Sequence, residues 1–385
     1  MIKNRKYDLV IVGAGVIGTF CAYHALKKGK SVLLLEKEAQ PHEASIRNFG
    51  QIIPSGESIE NGFAWGRKSL KIYKELQEDS AISLTKNGSW YIASNESEMA
   101  VMEEMSKKFL ALDYPSQLFT SSETISENPV FNKNYVKGGL FFPEEASINP
   151  LLMVHQLRDY LVQHLGLHYQ NFCPVIMVEK KRGIAMITTA KRQTFWGDHV
   201  IIANGQDTQF LLPEHYSSAE LKICQLQMMR LVPQKKQFAA NILTGLSLRR
   251  YDSFKSCLSF SELKTSDEER CLQSKGIHIL FKQAEDGSIL LGNSHEYVSV
   301  NEQANLSFET STEINELILK EAKKIASLES WNLEATWIGH YLEAKQEDVY
   351  TKTVDTVIHI LNGMGGKGIT ISPGFTYSYI QKLFS

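Results

Sequence analysis

Residues 7–12 form a largely apolar run centred on Val10, Ile11 and Val12, the pattern of a central parallel strand covered on both faces. A glycine-rich turn follows at once. Phe20, Ala22, Ala25 and Leu26 then suit a packed helix that stops near Gly29, and residues 31–35 read as a second buried strand ending at Glu36. The opening unit is therefore strand, helix, strand. Residues 41–56 break into a polar stretch with Gly and Pro, after which helices are predicted around residues 65–76 and 97–110 and short strands at 89–93 and 139–142.

Further along, Asn149-Pro150 pairs a favoured N-cap with a residue preorganised for the first helical position. Val154, Leu157, Leu161 and Leu165 then share one face, with Gly166 as the stop. Residues 175–178 and 185–188 read as paired strands, and residues 199–203 as a short buried strand closing on Asn204-Gly205. A β-rich section spans about 221–300, with alternation at 277–281 and a hairpin turn at Asp286-Gly287. Thr310-x-x-Glu313 resembles a capping box for a helix with Ile314, Leu317, Ile318, Ala322 and Ile325 on its apolar face. A second glycine-rich loop at residues 362–368 leads into a terminal helix.

Size and charge narrow the picture. With 385 residues and 43% hydrophobic content, the chain exceeds the usual extent of one core, so two domains are expected. A formal charge of −2 gives no general electrostatic affinity for nucleic acid. The five cysteines lack C-x-x-C spacing, which points away from a zinc knuckle or disulfide framework and towards a reducing cytoplasm. No apolar stretch has the length of a membrane span, and no metal site is indicated.

The chemistry starts at Gly13-x-Gly15-x-x-Gly18, between the first strand and its helix, with Glu36 at the tip of the next strand. Glycines permit a tight turn and let backbone N–H groups approach a pyrophosphate at the positive helix end, while Glu36 accepts from ribose hydroxyls. This defines a dinucleotide site but does not choose between FAD and NAD(P).

Other segments make that choice. Val12-Gly13-Ala14-Gly15-Val16-Ile17-Gly18, Glu36-Lys37, Ala44-Ser45-Ile46-Arg47-Asn48-Phe49-Gly50, Ile201-Ile202-Ala203-Asn204-Gly205, Trp337-Ile338-Gly339-His340 and Gly363-Met364-Gly365-Gly366-Lys367-Gly368 resemble the D-amino-acid oxidase-like family of flavoproteins. That family includes glycine oxidase and sarcosine oxidase, and the resemblance covers nearly the whole chain. It implies an α/β fold: a Rossmann-type FAD-binding domain from residues 1–55, 148–210 and 336–385, with a second α+β substrate domain on a mixed sheet from 56–147 and 211–335.

The resemblance also implies FAD contacts at Gly13, Gly15, Val16, Ile17, Gly18, Glu36 and Lys37, and along the segment with Ser45, Asn48, Gly50 and Gln51. Val175 would meet the adenine through its backbone. Ala203, Asn204 and Gly205 would border the cofactor, as would Gly339. Gly365, Gly366, Lys367, Gly368, Ile369 and Thr370 would bring the terminal helix dipole to the flavin C2=O edge, where charge collects on reduction. No cysteine follows Cys271, so the FAD is expected to be noncovalent.

The reaction implied is oxidation of a C–N bond of a small amine by hydride transfer to flavin N5, with oxygen or another acceptor reoxidising the cofactor. His340 reads either as a ring-side group or as a satisfied core histidine. The runs around Arg47, His278, Asp286 and residues 292–297 resemble a subgroup proposed to act on aminophosphonates, for which Arg47, Arg249 and Arg250 are candidate ligands of the oxyanion. A flavin-dependent hydroxy-acid dehydrogenase, an accessory flavoprotein without turnover of its own and an NAD-dependent dehydrogenase are the alternatives. Glu36→Ala is expected to harm cofactor retention more than the fold.

Overall fold

The computed structural model describes residues 5–235 and 237–385. The first strand β1 (Lys6–Val12), helix α1 (Val16–Lys27) and strand β2 (Val32–Leu35) form the predicted unit, with β1 and β2 parallel in the register Leu9 to Val32 through Val12 to Leu35. On the other side of β1 lies the parallel strand Thr194–Ile202, followed by Ile358–Asn362, while His168–Gln170 extends the sheet beyond β2. The antiparallel hairpin Val175–Lys181 with Ile184–Thr189 adds one edge, and Tyr350–Val354 pairs with Ile358–Asn362. Leu9, Val10 and Ile11 are fully buried because helices cover one face and the β-hairpin side covers the other.

A second sheet of eight strands runs in the spatial order Leu333–Ala344, Leu221–Leu231, Ile289–Ser299, Leu280–Gln283, Asn241–Thr244, Ser89–Ala93, Gly138–Phe142, Gln117–Thr120. Its pairs are antiparallel except Asn241–Thr244 beside Ser89–Ala93, so the sheet is mixed, as expected.

Two elements lie across expected domain seams. Strand Leu333–Ala344, which spans the seam expected at residue 336, pairs along its length with Leu221–Leu231 in the second sheet. Helix Gly62–Glu78, assigned from sequence to the substrate half, packs its Leu70, Tyr73 and Leu76 face into the core shared by α1 and the terminal helix Gly368–Leu383. The Tyr73 hydroxyl donates to the Ile369 carbonyl at 2.9 Å, which locks the two helices together.

Local readings fared unevenly. Asn149 caps helix Pro150–His164 by accepting from the Leu151 N–H at 3.0 Å. The cap of helix Thr312–Ile325 is Ser311 and not Thr310: its hydroxyl accepts from the Ile314 N–H, while Thr310 pairs with Thr336. The alternating residues 277–279 are not a strand; regular pairing begins at Leu280. The β-rich section is interrupted by the one-turn helices Gly245–Leu248 and Asp252–Lys255 and by helix Asp267–Ser274.

Candidate active site

At the carboxyl ends of the parallel strands a cavity of about 1510 Å³ runs from the glycine turn to the face of the second sheet. Its position, outside the strand ends and beside the first helix, is where doubly wound sheets bind dinucleotides. Gly13, Gly15, Val16 and Ile17 line one end. Gly13 has φ +101, and a Cβ there would come within 2.3 Å of the Ala203 carbonyl oxygen. Gly18 does not line the cavity; it abuts the turn itself, since a Cβ would fall 1.9 Å from the Gly13 oxygen. Its role is to let helix and strand approach.

Glu36 is only 6% exposed and lines the cavity. Its Oε2 accepts from the Ala14 N–H at 2.9 Å and its Oε1 from the Glu38 N–H at 3.1 Å, which fixes the carboxylate while leaving lone pairs for a ribose. The Ser45 hydroxyl accepts from the Val16 N–H at 3.0 Å, holding the following loop against the start of α1. Asn48 folds that loop on itself by donating to the Ala44 carbonyl and accepting from the Gly50 N–H. Gln51 lines the cavity with its buried amide nitrogen unpartnered.

Lys37 also lines this end, paired with Asp207 at 2.8 Å. Val175 lies nearby, as do Ala203, Asn204 and Gly205. Asn204 is braced by Tyr216, whose hydroxyl donates to it at 2.7 Å, and Gly205 by the amide of Asn362.

Gly365, Gly366, Lys367, Gly368, Ile369 and Thr370 line the cavity where the terminal helix begins, so its positive end faces inward. Lys367 does not stand free: its Nζ bonds Asp252 at 2.8 Å and Asp348 at 2.9 Å. Those carboxylates neutralise it and leave the helix end as the main positive field.

The substrate-side candidates separate cleanly. Arg47 donates to the carbonyls of His42 and Ile338 at 2.8 and 2.7 Å and is not among the cavity-lining residues. Gly339 packs on Arg47, also outside the lining, and gives that side chain its room. Arg249 is a correction: its guanidinium pairs with the buried Glu98 and with Glu269 and donates to the Lys264 carbonyl, behind the cavity wall. Arg249 caps the C-terminal end of helix Gly245–Leu248, and it is the next residue, Arg250, that lines the cavity. His340 does line it, with Nε2 3.1 Å from the Gln225 Oε1 and a pKa held below the usual histidine value by burial.

Around Arg250 the second sheet presents groups that sequence reasoning did not select individually. The guanidinium donates to the Tyr297 hydroxyl and pairs with no carboxylate among the described residues. Beside it, Tyr341 and Asn293 are 5% and 7% exposed, and the Tyr341 hydroxyl and Asn293 Oδ1 lack partners. His278 and His295 complete the wall, each held well below its ordinary pKa by burial, and His295 Nδ1 lies 3.1 Å from the Gly276 carbonyl, to which it donates. Lys222 is paired with Glu343 at 2.9 Å. The available signal was the run of residues 292–297; its periodicity alone marks only a strand.

An α/β scaffold with an adenine-dinucleotide cradle opening from one eight-stranded sheet onto a second defines a flavin-dependent oxidoreductase class of architecture. The DAO family, described as FAD dependent oxidoreductase, matches residues 8–376, and the chain belongs to it. A glycine oxidase of Bacillus licheniformis is 25% identical over 344 residues, covering 87% of this chain and 81% of that protein. One of the polypeptides of the opine oxidase of Rhizobium meliloti is 24% identical over 355 residues, with the same coverages of 87% and 81%. The crystal structure of glycine oxidase from Geobacillus kaustophilus superposes with a TM-score of 0.80 at 16% identity, covering 99% of this chain and 95% of that one. FAD is thus the cofactor, and the cradle fits it: glycines where a Cβ would clash, an immobilised buried carboxylate and a helix end facing the same cavity. No helix among the described residues is long and apolar enough to cross a membrane.

Proposed function

We propose that this protein oxidises the C–N bond of a small amine or amino acid that carries an acid group, with an aminophosphonate as the finer assignment. Bound FAD supplies a two-electron acceptor at N5. The chain's own part is to orient the amine against it, exclude water and hold the acid end. The imine formed hydrolyses to a carbonyl compound and ammonia or a smaller amine.

The observation that carries the reading is Arg250. A guanidinium facing the cavity without a carboxylate partner among the described residues is an incomplete ion pair, and a substrate oxyanion completes it. Unpartnered Tyr341 and Asn293 next to it offer further hydrogen bonds. The relatives named above as glycine and opine oxidases support amine chemistry. The subgroup resemblance of residues 292–297 supports the phosphonate.

Anaerobic mixing of the purified flavoprotein with a panel of amino acids, aminoalkylphosphonates, plain amines and hydroxy acids tests the proposal. Bleaching of the flavin absorbance by an amine that carries an acid, and not by its hydroxy counterpart, is the expected result. Bleaching by hydroxy acids alone, or by nothing in the panel, overturns it. Peroxide on admitting air identifies oxygen as the acceptor.

A further inference from the structure

Three carboxylates converge on Lys367, yet only two bind it. Asp252 and Asp348 hold its ammonium at 2.8 and 2.9 Å, and Asp348 also accepts from the Ser58 hydroxyl at 2.6 Å. The third is Glu57, which follows the turn Pro54–Gly56, lines the cavity and is only 4% exposed. No hydrogen bond reaches its carboxyl among the described residues, and its buried Oε2 is unpartnered.

A bare carboxyl in such a place is costly unless a ligand uses it. Structural service does not account for it, because Lys367 is already doubly paired and Glu57 makes no ion pair of its own among the described residues. Tyr251 stands between it and the anion-binding wall: the Tyr251 ring packs 3.3 Å from the position a Cβ on Gly56 would take, and its edge meets His278. Arg250, Tyr251 and Asp252 are consecutive, so one short segment separates a cationic end of the cavity from an acidic end. A substrate with an acid at one end and an ammonium at the other matches that polarity.

Resting on the amine-oxidation reading above, we propose that Glu57 accepts the ammonium proton of the bound substrate. An N–H bond breaks as an O–H bond forms on its carboxylate, charge is conserved, and the neutral amine left behind is the form whose neighbouring C–H bond gives up a hydride. Glu57 is then a catalytic residue that touches the substrate nitrogen.

The surroundings suit this role. Burial pushes the Glu57 carboxyl up to about 8; Lys367 opposes the shift, while Asp348, Asp252 and Glu145 add to it. An ordinary carboxylate would take a proton from an alkylammonium, with a pKa of roughly 10, only at a penalty of about six pKa units. Raising the acceptor towards the working pH removes more than half of that gap.

The test compares the parent with Glu57→Gln and Glu57→Asp, each checked for FAD content and melting temperature. Flavin bleaching by a reactive amine is followed anaerobically from pH 6 to pH 10. In the parent the rate should rise through a transition near pH 8. Glu57→Gln should lower it roughly 10²-fold or more at pH 8 and recover as the pH approaches the substrate's own ammonium pKa, and Glu57→Asp should restore part of the loss. Calorimetry with an unreactive amino acid in buffers of different ionisation heat gives a second readout: at pH 8 the Gln variant should release more protons on binding than the parent.

An unchanged pH profile and proton count in a folded, FAD-loaded Glu57→Gln protein overturn the proposal while leaving amine oxidation intact. A parent that no amine bleaches overturns both.

Discussion

The Oε2 of Glu36 accepts a hydrogen bond from the Ala14 N–H at 2.9 Å, so the acid at the tip of one strand braces the glycine turn at the tip of the next. From sequence, Glu36 reads as a ribose ligand whose loss harms cofactor retention more than the fold; the structure adds a bracing task at the turn. Glu36→Gln keeps an acceptor for Ala14 and should melt close to the parent while holding FAD at least ~10-fold more weakly. Glu36→Ala strips the partner from the buried Ala14 N–H and from the part-buried Glu38 N–H and should also lose about 1–3 kcal/mol of stability. Retained flavin absorbance and denaturation midpoints, measured side by side, check the separation. Equal FAD content in all three proteins would remove Glu36 from the site.

Arg249 and Arg250 are adjacent in sequence and opposite in consequence. Arg249 is 6% exposed and its partner Glu98 1%, so Arg249→Met leaves a buried carboxylate without its cation and should destabilise the fold by about 3–5 kcal/mol. Arg250→Met removes a charge that nothing in the described chain balances, so the melting temperature should hold or rise. Its effect should fall on acid binding: the dissociation constants of unreactive acids such as acetate and methylphosphonate, read from the flavin spectrum, should rise roughly 10-fold or more. The reverse pattern in the two variants would exchange their roles.

How much was legible beforehand follows from where the determinants lie. The cofactor half rests on short-range signals: a glycine turn, an acid one strand later, an Asn-Pro cap, each readable within some 30 residues. The substrate wall does not. Lys222, Tyr297 and Tyr341 come from three strands that the register of the second sheet makes neighbours, and Arg250 and Glu57 reach the same cavity from two further stretches outside that sheet. Arg249 and Arg250 are both candidates in the sequence because two successive arginines look alike until the fold sends one to Glu98 and the other to the cavity. Nor does strand Leu333–Ala344 carry a local mark of which sheet it joins.

The two close approaches at the turn make a stricter demand than flexibility. A Cβ at Gly18 would lie 1.9 Å from the Gly13 oxygen, and one at Gly13 would lie 2.3 Å from the Ala203 oxygen, both backbone atoms that cannot swing aside. Gly18→Ala should therefore force α1 away from β1 and lower both stability and FAD retention. Gly29→Ala serves as the control: nothing lies within 4 Å of its Cβ, and only its φ of +73 resists substitution. The expected cost there is about 1 kcal/mol, with FAD content unchanged. Spectra of the two purified variants distinguish lost packing from backbone strain.

Two buried carboxyls give the fold a pH dependence of definite sign. Burial pushes Glu145 up to about 7 and Glu57 up to about 8, so the folded chain keeps protons that the unfolded chain releases near 4.5. Their stabilisation is complete below that value and drains away as pH rises through it towards the folded values. His24 and His359, both held down to about 4 by burial, act in the opposite sense below roughly pH 6.5, so the parent's curve alone mixes the two effects. Glu145→Gln separates them. Its Oε1 can still accept from the Ser55 N–H, which bonds Glu145 at 2.9 Å, and it has no proton to lose. Chemical denaturation at pH 5 and pH 8 should show the variant gaining on the parent by roughly 2–3 kcal/mol at the higher pH. A stability difference that stays constant between the two would mean that Glu145 is ionised in the folded protein, with a partner for its second oxygen.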